Sequence, residues 1–241
     1  MWLRGCRGGI QCPRMMTLRC FLLILPAVLV ACSPGVTRDE VMATARAYKE
    51  MAWMPEERHI HHGKDFDGQW VHTPDASLEK HTGDPKGWWK PGVEAVGMPY
   101  MWGGFDTPES FRKKLRRGAF AGDIATDDKK RLLEAGVSRH AAGIDCSGFV
   151  SRCWNLPRHH STRRLHLVSH QLDSWDELRR GDILLASGHV VIFAGWTEPG
   201  RVLLMYEAGP YPVWRVNASR IRKETLLALD YTPWRYNHIR D

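Results

Sequence analysis

Gly143-Ile144-Asp145-Cys146-Ser147-Gly148-Phe149-Val150 joins a cysteine to two small residues and the start of an apolar run. That order presents a thiol at a helix N-terminus, where free backbone N–H groups and the positive dipole end favour a thiolate. Downstream, Gly181-Asp182-Ile183-Leu184-Leu185 leads to Gly188-His189-Val190-Val191-Ile192-Phe193, which sets one histidine at the mouth of an apolar strand. A cysteine on a helix and a histidine on a strand supply the two partners of a thiolate–imidazolium pair. Of the twelve histidines, His189 alone directly precedes a long apolar strand beside a Gly-Asp turn.

Outward from this stretch, the patterns predict helices first and strands after. Thr37-Arg38-Asp39-Glu40 reads as a capping box, and Val41, Ala45, Tyr48 and Ala52 recur at helical spacing, predicting a helix over 38–53. Residues 55–97 are rich in Gly, Pro, His, Asp and Trp, with a hairpin signal at Asp65-Phe66-Asp67-Gly68. This segment is too short for a separate barrel and is expected to wrap a catalytic domain over 98–241. Thr107-Pro108-Glu109 and Thr126-Asp127-Asp128 each start a helix inside an insert at 106–142, the second stopping at Gly136. The insert reads either as a lid or groove wall beside the cysteine or as a peripheral helical hairpin. Strands are expected at 182–186, 189–195, 201–207 and 212–216. The fold class is α+β, with the cysteine helix packed on an antiparallel sheet.

The N-terminal segment reads as targeting sequence. Arg14 and Arg19 precede an apolar run from Phe21 to Ala31, too short to span a bilayer but suited to a signal peptide over 1–31. Leu29-Val30-Ala31-Cys32 resembles a bacterial lipobox, which implies lipidation at Cys32, a membrane anchor and, with Ser33 next, the outer membrane facing the periplasm. An ordinary cleaved signal is the alternative, and Met15 or Met16 fits as the start as well as Met1. The formal charge of +7 falls to +3 once the four arginines of 1–31 are gone, too mild to argue for nucleic acid. Of the six cysteines, Cys6, Cys12 and Cys20 leave with that segment, and Cys32 takes lipid. Cys146 and Cys153 remain. On one helix they stand roughly 10 Å apart along the axis, beyond the about 7 Å a disulfide allows, so two free thiols are expected.

Three motifs in order carry a family resemblance: Pro99-Tyr100-Met101-Trp102-Gly103-Gly104, Asp145-Cys146-Ser147-Gly148-Phe149-Val150, and Gly181-Asp182-Ile183-Leu184 followed by Gly188-His189-Val190-Val191-Ile192-Phe193. Over roughly residues 98–210 the chain resembles the NlpC-type cell-wall cysteine peptidases, which have a papain-like fold. The resemblance implies hydrolysis of an amide in peptidoglycan stem peptides, between D-isoglutamate and the diamino acid after it, with no metal or organic cofactor. It implies Cys146 as nucleophile and His189 as base and later acid. The third member in the family is usually a histidine on the next strand; here Glu207 holds that place in Leu204-Met205-Tyr206-Glu207-Ala208. If Trp196 pairs with Gly200, His189 and Glu207 stand opposite each other on one face, and a one-residue slip would separate them. Tyr100 matches a family tyrosine near the cysteine.

Asp145 and Ser147 flank the nucleophile and suit polar groups of a peptide such as a free amine; Asp145 equally suits a helix cap. Trp102, Trp88 and Trp89 are either groove or core residues. Arg58-His59-Ile60-His61-His62 matches no metal-ligand spacing. His159-His160 with Arg163-Arg164 makes a basic loop, a solvated face that also suits an anionic substrate. The rival readings are an amidase or acyltransferase acting on another envelope substrate, and a non-catalytic envelope-binding lipoprotein.

Overall fold

Thr37 opens the first helix in both directions: its Oγ1 accepts from the Glu40 N–H at 3.2 Å, and Glu40 Oε2 accepts from the Thr37 N–H at 2.7 Å. These residues lie near the start of the computed structural model, which describes residues 35–241. The stretch read as a signal peptide, the three early cysteines and Cys32 lie outside the described residues. Helix α1 (Arg38–Lys49) buries Val41, Met42, Ala45 and Tyr48. It stops four residues before the expected end because Ala52 and Trp53 are extended and pair with Val96 and Ala95. The Trp53 indole donates to the Gly97 carbonyl at 3.2 Å, so burying that ring takes precedence over another helical turn.

The following residues form α2 (Leu78–Thr82), α3 (Pro108–Arg116), α4 (Asp127–Leu132), α5 (Cys146–Cys153) and α6 (Lys223–Ala228), and the molecule is α+β. Residues 55–97 include the expected hairpin, His62–Lys64 against Trp70–His72. Trp88 and Trp89 of this segment, with Phe111, meet Trp53 edge-on at 5.2–6.2 Å, while Trp70 is exposed.

A six-stranded antiparallel sheet follows, in spatial order Val216–Arg222, Val202–Ala208, His189–Glu198, Ile183–Ala186, Thr232–Tyr236 and Ser169–Gln171. Helix α5 and α1 share one core with Val190, Ile192, Ala208 and Val216. The edge of Phe149 meets Tyr48 at 5.7 Å between centroids. The opposite sheet face carries Leu184, Val191, Phe193, Leu203 and Met205 under α6. Alternation along Val190–Phe193 therefore buries both faces of the sheet. The expected strand at 212–216 lies instead at Val216–Arg222. Pro210 and Pro212 have no N–H for a ladder, so 210–214 is a turn.

The Tyr-Met-Trp-Gly-Gly motif and the cysteine segment are laced together. Ile144 N–H donates to Pro99 O and Met101 N–H to Ile144 O, both at 3.1 Å, and Asp145 N–H donates to Gly104 O at 3.2 Å. Gly148, in the first turn of α5, sits so close to Gly104 that a Cβ would fall 2.1 Å from its carbonyl oxygen. The two glycines let the helix N-terminus approach the motif backbone directly. Gly148→Ala forces that backbone apart and is expected to cost about 2–4 kcal/mol in urea unfolding; a loss below about 1 kcal/mol would mean that α5 tolerates a looser seat.

Candidate active site

Cys146 is the first residue of α5, and Asp145 is its N-cap, accepting the Gly148 N–H at 2.5 Å. The N–H groups of Cys146 and Ser147 lie in the first turn, where a helix has no internal acceptor for them. Cys146 is 5% exposed and lines a cavity of about 940 Å³. Cys153, one heptad on, is fully buried, and burial pushes its thiol far up. Both thiols are free.

His189 faces the same cavity. It pairs with Ala186, which leaves Ser187-Gly188 as a two-residue turn, with Gly188 at φ +85° where an L side chain would be strained. Its Nε2 lies 2.8 Å from Glu207 Oε2, and both side chains are mostly buried. The expected register is wrong in detail and harmless in effect. Trp196 pairs with Leu203, not Gly200, and irregularities between Phe193 and Gly195 and between Trp196 and Glu198 bring the strands to Ile192–Tyr206. At Ile192 the shift from the expected pairing is two residues, and an even shift keeps the face. Glu207 then stands one step on, opposite Val191, and His189 reaches it on the diagonal.

With Nε2 engaged, Nδ1 is the ring nitrogen left for the thiol. Burial alone would lower the pKa of His189, but the Cys146 charge and hydrogen bond, joined by Glu207, outweigh it and raise it to about 10. The imidazolium is thus the neutral-pH form. By linkage, the stability contributed by the raised His189 pKa is full below about pH 6.5, the ordinary histidine value, and is lost as pH rises through about 10. A thiol at a helix N-terminus, an adjacent imidazolium and a carboxylate orienting it have the parts for attack on a carbonyl and return of a proton.

Tyr100 lines the cavity, and its phenol is held neutral by burial and by the charges of Cys146, Asp145 and Asp123. Its ring meets Trp214 edge-on at 5.4 Å, and its N–H donates to the Trp214 carbonyl at 2.9 Å. Trp102 lines the cavity too, its indole donating to Leu133 O at 3.1 Å. Trp88 and Trp89 do not line it. Asp145 and Ser147 do, but Asp145 is both cap and ion-pair partner: His159 Nε2 lies 3.1 and 3.2 Å from its two oxygens and 3.2 Å from Ser147 Oγ.

The insert divides. Residues 125–137 contribute a wall through Thr126, Lys130, Leu133, Glu134 and Val137, while α3 stays outside. A buried pair anchors that wall: Lys129 Nζ lies 2.5 Å from Asp123 Oδ2 and 2.9 Å from Gly136 O. Burial pushes the Asp123 carboxyl up and Lys129 opposes it.

Sequence reasoning missed His159 as an Asp145 partner, Trp214 and Tyr231, whose ring stands 6.5 Å from His189. His159 carried a signal in its basic loop; the two aromatics carried none. Among the described residues no group of three or more His, Cys, Asp or Glu side chains is arranged to hold a metal ion. His59 instead accepts from the Glu56 N–H at 3.1 Å, and His62 bonds Asp75 at 2.8 Å.

No protein-family model matches the chain, and no curated protein matches it. No helix among the described residues is long and apolar enough to cross a membrane.

The site makes the two thiols unequal. At pH 7, iodoacetamide is expected to label Cys146 about a hundredfold faster than Cys153, and His189→Ala to remove most of that advantage. Equal labelling of the two, read by peptide mass spectrometry, would exclude an activated thiolate.

Proposed function

We propose that this chain is a papain-like cysteine peptidase of the NlpC type, hydrolysing an amide in the peptide stems of peptidoglycan. The observation that carries the reading is the Glu207–His189 hydrogen bond of 2.8 Å behind a cavity that His189 lines together with a cysteine at a helix N-terminus. Cys146 Sγ attacks the carbonyl carbon. The oxyanion is met by first-turn N–H groups, with the neutral Tyr100 phenol as a further donor. His189 gives its proton to the leaving amine, which departs and leaves a thioester. Water then attacks that acyl-enzyme, with neutral His189 taking its proton, and the thiolate–imidazolium pair is restored.

Glu207 keeps the imidazole oriented and charged, a larger electrostatic effect than a neutral partner supplies. The bond between D-isoglutamate and the diamino acid is the proposed target, on the family resemblance of the three motifs. Lipid on Cys32 would tether the enzyme at the outer membrane, facing the wall.

Digestion of purified peptidoglycan and defined stem peptides, read by mass spectrometry beside Cys146→Ala, tests the reading. Release of new amine ends, lost in the variant, is the expected result and names the bond. No cleavage with a reactive Cys146 would point to an amidase or acyltransferase on another substrate; no cleavage and no reactivity would leave a binding lipoprotein. The pH profile of kcat/KM adds a second check. Because His189 must be protonated, the alkaline limb is expected near pH 10, and Glu207→Gln moves it to lower pH by removing an opposing charge. A limb that stays in place would remove Glu207 from the site's electrostatics.

A further inference from the structure

The basic loop after α5 divides into two parts. His159 and Arg163 line the cavity that holds Cys146. His160 is buried, its Nδ1 3.1 Å from the Arg158 carbonyl, and Arg158 and Arg164 are exposed outside the cavity.

His159 uses one edge of its ring on the α5 cap. Nε2 is shared between both Asp145 oxygens and Ser147 Oγ, and Ser147 Oγ itself donates to Asp145 Oδ1 at 2.9 Å. The polar groups beside the nucleophile that suited a free amine are therefore already satisfied within the protein. The other ring nitrogen, Nδ1, and the Arg163 guanidinium have no hydrogen-bond partner among the described residues. Of the other lysine and arginine side chains, Lys130 also lines the cavity, and it is paired with Asp127 at 3.0 Å.

We propose that His159 and Arg163 form a subsite beside Cys146 for a carboxylate of the substrate. A carboxylate has two oxygens that accept from an imidazolium N–H and a guanidinium fork together, and it is the anionic group a peptide substrate carries. Burial disfavours the imidazolium, but Asp145, by charge and by hydrogen bond, and Glu134 raise its pKa above the ordinary value and sustain the charge. Asp145 thus has two effects through one side chain: it caps the nucleophile helix and keeps the neighbouring donor cationic. The subsite rests on the reading of Cys146 as the reacting atom and adds to it the charge of the substrate.

Iodoacetate and iodoacetamide on the full chain test this. Both alkylate a thiolate with loss of iodide, and only the first carries a carboxylate. The ratio of their rate constants at Cys146 is expected to fall about fivefold in Arg163→Gln and in His159→Gln. It should stay within about twofold of wild type in Arg164→Gln, which removes the same charge from the same loop outside the cavity. An unchanged ratio in Arg163→Gln, or an equal fall in Arg164→Gln, overturns the subsite; if His159→Gln fails to fold, Arg163→Gln decides. Should Cys146 react with neither reagent, the nucleophile reading fails instead. Titration with glutarate against glutaramide, followed by tryptophan fluorescence, then settles the subsite: preference for glutarate lost in Arg163→Gln supports it, and equal binding overturns it.

Discussion

The seat of α5 on the Pro99–Gly104 backbone is the contact on which the rest of the site depends. Three main-chain hydrogen bonds and one glycine-to-carbonyl approach set the helix N-terminus at a fixed distance from Tyr100 and Trp102. Main-chain contacts of this kind leave no side-chain rotamer to adjust, so the thiol position follows from the backbone. Gly103 extends the same logic outward. At φ +69° its Cβ would strike the Val137 side chain at 2.3 Å, so the motif also touches the insert wall directly.

On the sheet side, His189 is held by rigid strands and by Glu207, while its charge depends on the thiol across the cavity. The two halves of the pair come from separate layers, and each layer is fixed by its own packing: α5 by Phe149 and Tyr48, the sheet by Val190 and Ile192 beneath. The wall built from 125–137 has a different basis. It is anchored by the buried Asp123–Lys129 pair, whose carboxylate also accepts the His72 N–H at 3.2 Å. The N-terminal hairpin, the insert and the Tyr100–Trp102 backbone thus meet at Asp123. Breaking such a buried pair leaves a charge uncompensated, which makes this hub a sensitive part of the cavity's shape.

The expected features that the structure bears out are those governed by neighbours three or four residues apart. The caps at Thr37, Thr107 and Thr126 and the placement of Cys146 at a helix start are of this kind, as are the hairpin at Asp65–Gly68 and the strand that His189 opens. The misplacements came where distant contacts compete with local pattern. The first helix gave up its last turn to bury Trp53 against Gly97, and prolines displaced the strand expected at 212–216.

From the sequence alone came the α+β class, the free thiols at Cys146 and Cys153, and the pairing of a helix cysteine with a strand histidine, because capping, period and cysteine spacing are short-range properties. Only the tertiary structure decided that Glu207 reaches His189 through an irregular ladder, that His159 occupies Asp145, and that 125–137 rather than α3 walls the cavity. Those relations depend on strand irregularities and on contacts between segments remote in the chain, where a shift of one residue reverses a side chain's face and no local signal records it.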